Sequence, residues 1–241
     1  MESEIRNRGK VSDLVFIFFI TLLIPFLSSY LSDVVHPWLS SLYPGEDFLY
    51  KSIHHIFQLI LSIGVMFALS RKFKFSAWGW NLNQWQLSLK WIGIFGLVWF
   101  ALQYWGLSNQ SHPHEYEVHP VNQIGNLGFQ YLLSGTGEEP LFRGIVMVFL
   151  AKHWHQIFKV GKIEFPITGI IATLLFMFAH IQIDWLNLEI THLDWGQQMN
   201  SLQLGILYAL AFHQTKSLLA PIVMHGLSNG LIYTILFYIL S

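Results

Sequence analysis

The chain of 241 residues contains no cysteine. That excludes disulfides, thiolate metal sites and a cysteine nucleophile. Charge is scarce as well: Asp, Glu, Lys and Arg together make 11% of the residues, where a soluble domain carries about 25%. With 53% hydrophobic residues and a mean hydropathy of +0.45, the chain reads as a polytopic membrane protein. The formal net charge is -1 and no basic block occurs, so nothing suggests nucleic-acid binding. Internal repeats, low-complexity tracts and linkers are also missing. The length suits one all-α helix bundle of six to eight spans at about 20 apolar residues each. No room remains for a second soluble domain, and residues 1–241 are expected to form a single transmembrane unit.

Seven apolar runs can be placed. They cover Leu14 to about Val35, about Lys51 to Ser70, Leu87 to Leu107, Gln123 to Lys152, Phe165 to Ile183, Gln198 to Phe212 and Ser217 to Leu240. The first run is too long for the apolar region of a signal peptide and no Ala-x-Ala-like site follows it, so it reads as an uncleaved span. Pro25 should kink it. After the second run come Arg71, Lys72 and Lys74, then Trp78, Trp80 and Trp85. The amphipathic rings of this segment suit the headgroup level, which predicts that it lies along the interface.

Lys and Arg test the layout. The N-terminus and the cytoplasm-assigned side hold Arg6, Arg8, Lys10, Arg71, Lys72, Lys74, Lys90, Lys152, Lys159, Lys162 and Lys216, whereas the other side holds only Lys51. Eleven against one predicts seven spans with a cytoplasmic N-terminus. Arg143, the remaining basic residue, falls inside the fourth span.

Arg143 is not alone there. The stretch Gly135-Thr-Gly-Glu138-Glu139-Pro140-Leu-Phe-Arg143-Gly144 sits between apolar runs. Each charge costs roughly 2.5 to 3.5 kcal/mol at mid-bilayer, so the three cost on the order of 8 to 10 kcal/mol before pairing. His180 on the fifth span and His225 with Asn229 on the seventh fall near the same depth. Residues four apart share a helix face, so Glu139 can pair with Arg143, while Glu138 is turned about 100° away. One carboxylate can thus be held by the arginine and the other face the histidines. Pro140 removes a backbone hydrogen bond and leaves two possibilities, a kinked fourth span or a break with Pro140 in the first turn of a new helix. The broken form would set both carboxylates at a helix N-terminus.

Glu138-Glu139-x-x-x-Arg143, Phe176-x-x-x-His180 and His225-x-x-x-Asn229 together resemble the three-motif signature of the CAAX-protease and bacteriocin-processing (Abi) family. These are glutamate-dependent intramembrane endopeptidases. The resemblance covers about residues 123–240, and one such motif alone would carry little weight. It implies that Glu138 and His180 activate the attacking water. It implies further that Glu139 with Arg143 orients the site, and that His225 and Asn229 stabilise the oxyanion. No metal or organic cofactor is implied. The substrate would be a membrane-associated, lipidated or sorting-signal-bearing protein or peptide. The location would be the cell membrane of a prokaryote, and the subfamily could be CAAX processing, bacteriocin maturation or immunity, or sortase-like processing as in the myxosortases.

Competing patterns fit less well. His114-Glu115-Tyr-Glu-Val118-His119 misses the His-Glu-x-x-His zinc spacing by one residue and lies between Pro113 and Pro120. No Gly-x-Gly-Asp motif occurs in the spans. Zinc on Glu138, Glu139, His180 and His225 is chemically possible, but Arg143 competes for a carboxylate. Two other functions remain open to the same residues: a transporter or proton relay, and a non-catalytic binding or immunity protein.

Overall fold

The structure, a computed structural model, describes residues 2–41, 47–71, 74–109, 120–184, 187 and 189–240, with the side chains of 2–10, 47 and 184 left aside. Seven helices make up most of it: α1 (Glu2–Ser40), α2 (Asp47–Leu69), α3 (Trp85–Ser108), α4 (120–150), α5 (Ile167–Ala179), α6 (Trp195–Thr215) and α7 (Leu219–Tyr238). Two antiparallel hairpins flank α5. One joins β1 (Ile157–Val160) to β2 (Ile163–Pro166), and the other joins β3 (Gln182–Asp184) to β4 (Glu189–His192). The protein is an all-α membrane bundle with these small hairpins at its edges.

Among the described residues four helical stretches are long and apolar enough to cross a membrane: Val11–Ser40, Phe48–Leu69, Trp85–Ser108 and Leu219–Tyr238. They make the protein an integral membrane protein. Three of the seven expected spans differ from that simple pattern. Helix α5 has 13 residues and rises about 20 Å, short of the ~30 Å hydrocarbon core. Phe165 and Pro166, counted within the fifth span, pair instead with Phe158 and Ile157 in a hairpin. At its other end α5 stops at His180, and Gln182 enters β3. Helices α4 and α6 are long, but their polar side chains interrupt the apolar run that a simple span requires.

Helix α4 is central. Leu141, Phe142, Ile145, Val146, Met147 and Leu150 are all buried, the signature of a helix enclosed on every side. Helices α2, α5, α6 and α7 all contact it. On its outer flank α1 packs against α2 through Ile17, Ile24, Ser28 and Ser32. Ser28 and Ser32 turn their hydroxyls back to the carbonyls of Ile24 and Ser28. A stripe of small, internally bonded side chains lets these helices approach closely in lipid. Pro25 and Pro37 lie within α1, which runs past both as one helix.

The Trp-rich segment departs from expectation. Trp78 is fully buried against the α4 core, Trp80 is half-buried with Nε1 on the Met66 sulfur at 3.3 Å, and only Trp85 is 50% exposed. The reason lies in the backbone. A short turn, Phe75–Trp78, folds under the bundle and is tied to the α6–α7 corner, where Leu218 N donates to Gly79 O and Asn81 Nδ2 to Lys216 O.

Candidate active site

Glu138 and Glu139 lie between two widened, π-helical stretches of α4, Phe129–Ser134 and Pro140–Met147. Neither a break nor a new helix start occurs at Pro140. Glu139 has φ -62° and ψ -33° and Pro140 has φ -58° and ψ -38°, so the helix is continuous. The wider turn absorbs the donor that Pro140 lacks, and such π-bulges concentrate at functional sites. Both carboxylates therefore sit in mid-helix, away from any helix N-terminus.

Two glycines of the motif let neighbouring helices close on them. A Cβ on Gly135 would lie 2.3 Å from the Ile222 carbonyl oxygen and 3.0 Å from His225 Cβ, both on α7. A Cβ on Gly137 would lie 2.7 Å from His55 Cβ on α2. Histidines thus arrive from two directions.

Glu139 is held firmly. Arg143 Nε and Nη1 reach its two oxygens at 3.2 Å each, and both side chains are fully buried. The same guanidinium donates Nη2 to the Gly205 carbonyl at 3.1 Å and lies 4.9 Å from the Phe176 ring centroid and 5.4 Å from that of Tyr208. Ion pairing, a carbonyl and two ring faces together offset the burial of the charge. Glu139 Oε1 also accepts from His225 Nδ1 at 2.8 Å. That bond directs the other ring nitrogen of His225 at Glu138. The ring is fixed further by stacking on Tyr208, centroids 5.2 Å apart, while Tyr208 OH bonds Ser228 at 2.7 Å.

Glu138 is bound more loosely. Its Oε1 lies 3.2 Å from His55 Nε2, while Oε2 is buried without a hydrogen-bond partner, 4.0 Å from His225 Nε2. His55 Nδ1 is 2.9 Å from the Lys51 carbonyl, and a carbonyl can only accept, so Nδ1 carries the ring's proton. Its contact with Glu138 then requires a second proton, on Nε2 or on the carboxyl.

His180, at the C-terminal end of α5, donates Nδ1–H to the Phe176 carbonyl at 2.8 Å, which turns Nε2 away from its own helix. Asn229 Oδ1 accepts a 3.3 Å bond from Ser228. His180, His225 and Asn229 line one cavity of about 460 Å³, whose wall continues along α6 through Ser201, Asn200 and Gln197 to Asp194. A second cavity, about 390 Å³, lies near Trp154, His155, His213 and Lys216 and shares no lining residue with the first.

All six residues singled out in the sequence, Glu138, Glu139, Arg143, His180, His225 and Asn229, are therefore brought together. His55 joins them unexpectedly. Its signal was available, two adjacent histidines inside the second apolar run, but their nearness to its end hid it. Tyr208 and Ser228, which fix His225, resemble ordinary span residues in sequence. Among the described residues no group of three or more His, Asp or Glu side chains is arranged to hold a metal, and both Glu139 oxygens are engaged by Arg143 and His225. The His114–His119 segment lies outside the described residues.

No curated protein and no solved structure matches the chain. Residues 120–231 match the family model described as type II CAAX prenyl endopeptidase Rce1-like. Those bounds run from the start of α4 into α7 and enclose every residue of the cluster except His55. Over that segment the chain is similar to the CAAX-protease family.

Proposed function

We propose that this protein is a glutamate-dependent intramembrane endopeptidase that needs no metal or organic cofactor. Its substrate is a membrane-associated, lipidated or sorting-signal-bearing polypeptide, as in CAAX or sortase-like processing, and its home is the cell membrane of a prokaryote. The reading rests on one observation. Of two adjacent carboxylates, Glu139 is held by Arg143 and His225, while Glu138 keeps a buried oxygen without a hydrogen-bond partner 4.0 Å from the same histidine.

In this mechanism Glu138 takes a proton from a water that His180 helps to hold, and the water oxygen bonds to the scissile carbonyl carbon. Negative charge then develops on the carbonyl oxygen. His225 Nε2–H and the Asn229 amide meet it, with Glu139 holding the ring in place through Nδ1. As the intermediate collapses, the C–N bond breaks and Glu138 returns its proton to the leaving nitrogen. Arg143 holds Glu139 in place. It is a positioning residue.

The test compares the termini of membrane and secreted proteins in cells carrying wild type or Glu138→Ala. A substrate left unprocessed only in the variant, with the enzyme still folded, supports the proposal. Identical termini where wild type is active would overturn it in favour of a binding protein or transporter.

A further inference from the structure

The cavity lined by His180, His225 and Asn229 has its exposed polar residues, Asp194, Gln197 and Asn200, at one end, and charge identifies that end. Because successive helices alternate in direction, the described basic residues Arg71, Lys74, Lys90, Lys152, Lys159, Lys162 and Lys216 collect at one end of the bundle, against Lys51 at the other. The basic end is cytoplasmic by the positive-inside rule. Helix α6 starts at the opposite end, after β4, and finishes beside Lys216. The cavity follows its first half, from Asp194 and Gln197 through Asn200 and Ser201 to Tyr208.

Toward the basic end the route is filled. From Ala209 to Thr215, about 9 Å of helix, α6 buries Ala209, Leu210, Ala211 and Phe212. Facing them, α4 buries Phe142, Ile145 and Val146, and α7 buries Ala220 and Met224. Water and an extended peptide require polar partners for their backbone groups. The polar wall offers these, whereas the apolar plug does not.

We infer that the active site is reached from the non-cytoplasmic face, so that its substrate is an exported polypeptide cut at a segment lying on or entering the membrane from that side. The substrate class rests on the endopeptidase reading; the direction of opening does not.

The absence of cysteine makes the test direct. Gln197→Cys, Asn200→Cys and Lys159→Cys each place a single thiol in the full chain, at the cavity mouth, on the cavity wall and on the exposed β1–β2 hairpin. A membrane-impermeant maleimide is added to intact cells and to permeabilised ones. Gln197→Cys and Asn200→Cys should label equally in both, and Lys159→Cys only after permeabilisation. The reverse pattern overturns the inference, as does a labelled Gln197→Cys with an Asn200→Cys that stays unlabelled throughout. Labelling needs no turnover, so it is independent of whether Glu138 cleaves anything. Where Glu138-dependent cleavage is found, cut sites in cytoplasmic segments would overturn the substrate class.

Discussion

Removing Arg143 should cost more stability than any other single change to the cluster. Arg143→Met keeps much of the side-chain volume but strips Glu139 of both contacts to the guanidinium and leaves a fully buried carboxylate with His225 alone. Breaking a buried ion pair by deleting one partner costs about 3 to 5 kcal/mol. Total folding stability is about 5 to 15 kcal/mol, so this is a large share of it. For a chain of this size that corresponds to a fall of roughly 6 to 20 °C in Tm, readable by thermal unfolding in detergent. The double variant Glu139→Gln, Arg143→Met removes both charges and should recover most of the loss, because neutral groups carry no desolvation penalty of that size. Activity should stay lost in the double variant, since His225 loses the carboxylate that orients it. An Arg143→Met protein melting within about 2 °C of wild type, on that same scale, would refute the reasoning. So would a double variant no more stable than the single one.

Other outcomes follow from the same geometry. Asn229→Ala should lower kcat by about 10²- to 10³-fold with KM nearly unchanged, because an oxyanion donor acts in the transition state; steady-state kinetics on the purified protein would show it. Gly137→Ala places a Cβ 2.7 Å from that of His55, and such overpacking costs about 1 to 3 kcal/mol, so Tm should fall while Gly64→Ala on α2, with open space around it, changes it little. A chelator should leave cleavage unchanged, since Arg143 and His225 already engage both oxygens of Glu139. Loss of activity restored by added zinc would contradict that assignment.

The family-level reading was legible because membrane burial makes polar residues conspicuous. Glu138, Glu139, Arg143, His180, His225 and Asn229 are almost the only strongly polar side chains deep in the apolar runs, and the helical repeat alone allows Glu139 to meet Arg143. His55 was harder to read. It lies near the end of its helix, where a polar side chain costs little, so the pair of adjacent histidines does not stand out there. Trp78 misled for a related reason. An amphipathic ring suits a headgroup layer and a protein core alike, and only the turn at Phe75–Trp78 sends it inward. The fifth span failed because hydropathy ignores pairing: Phe165 and Pro166 are apolar enough for a membrane helix, yet they close a hairpin.

By itself the sequence determined that the chain is a helical membrane protein, that its two ends differ in charge, and that a few costly polar groups fall at similar depths. These follow from solvation, which each residue carries with it. The tertiary structure alone decided that α4 passes Pro140 unbroken, and that Glu139 rather than Glu138 takes both Arg143 and His225. It alone gave Glu138 its contact with His55, and opened the cavity along the polar half of α6. Those outcomes depend on which helices approach one another and how closely. Contacts between residues 83 or 86 positions apart, as in Glu138–His55 and Glu139–His225, are set by packing rather than by local pattern.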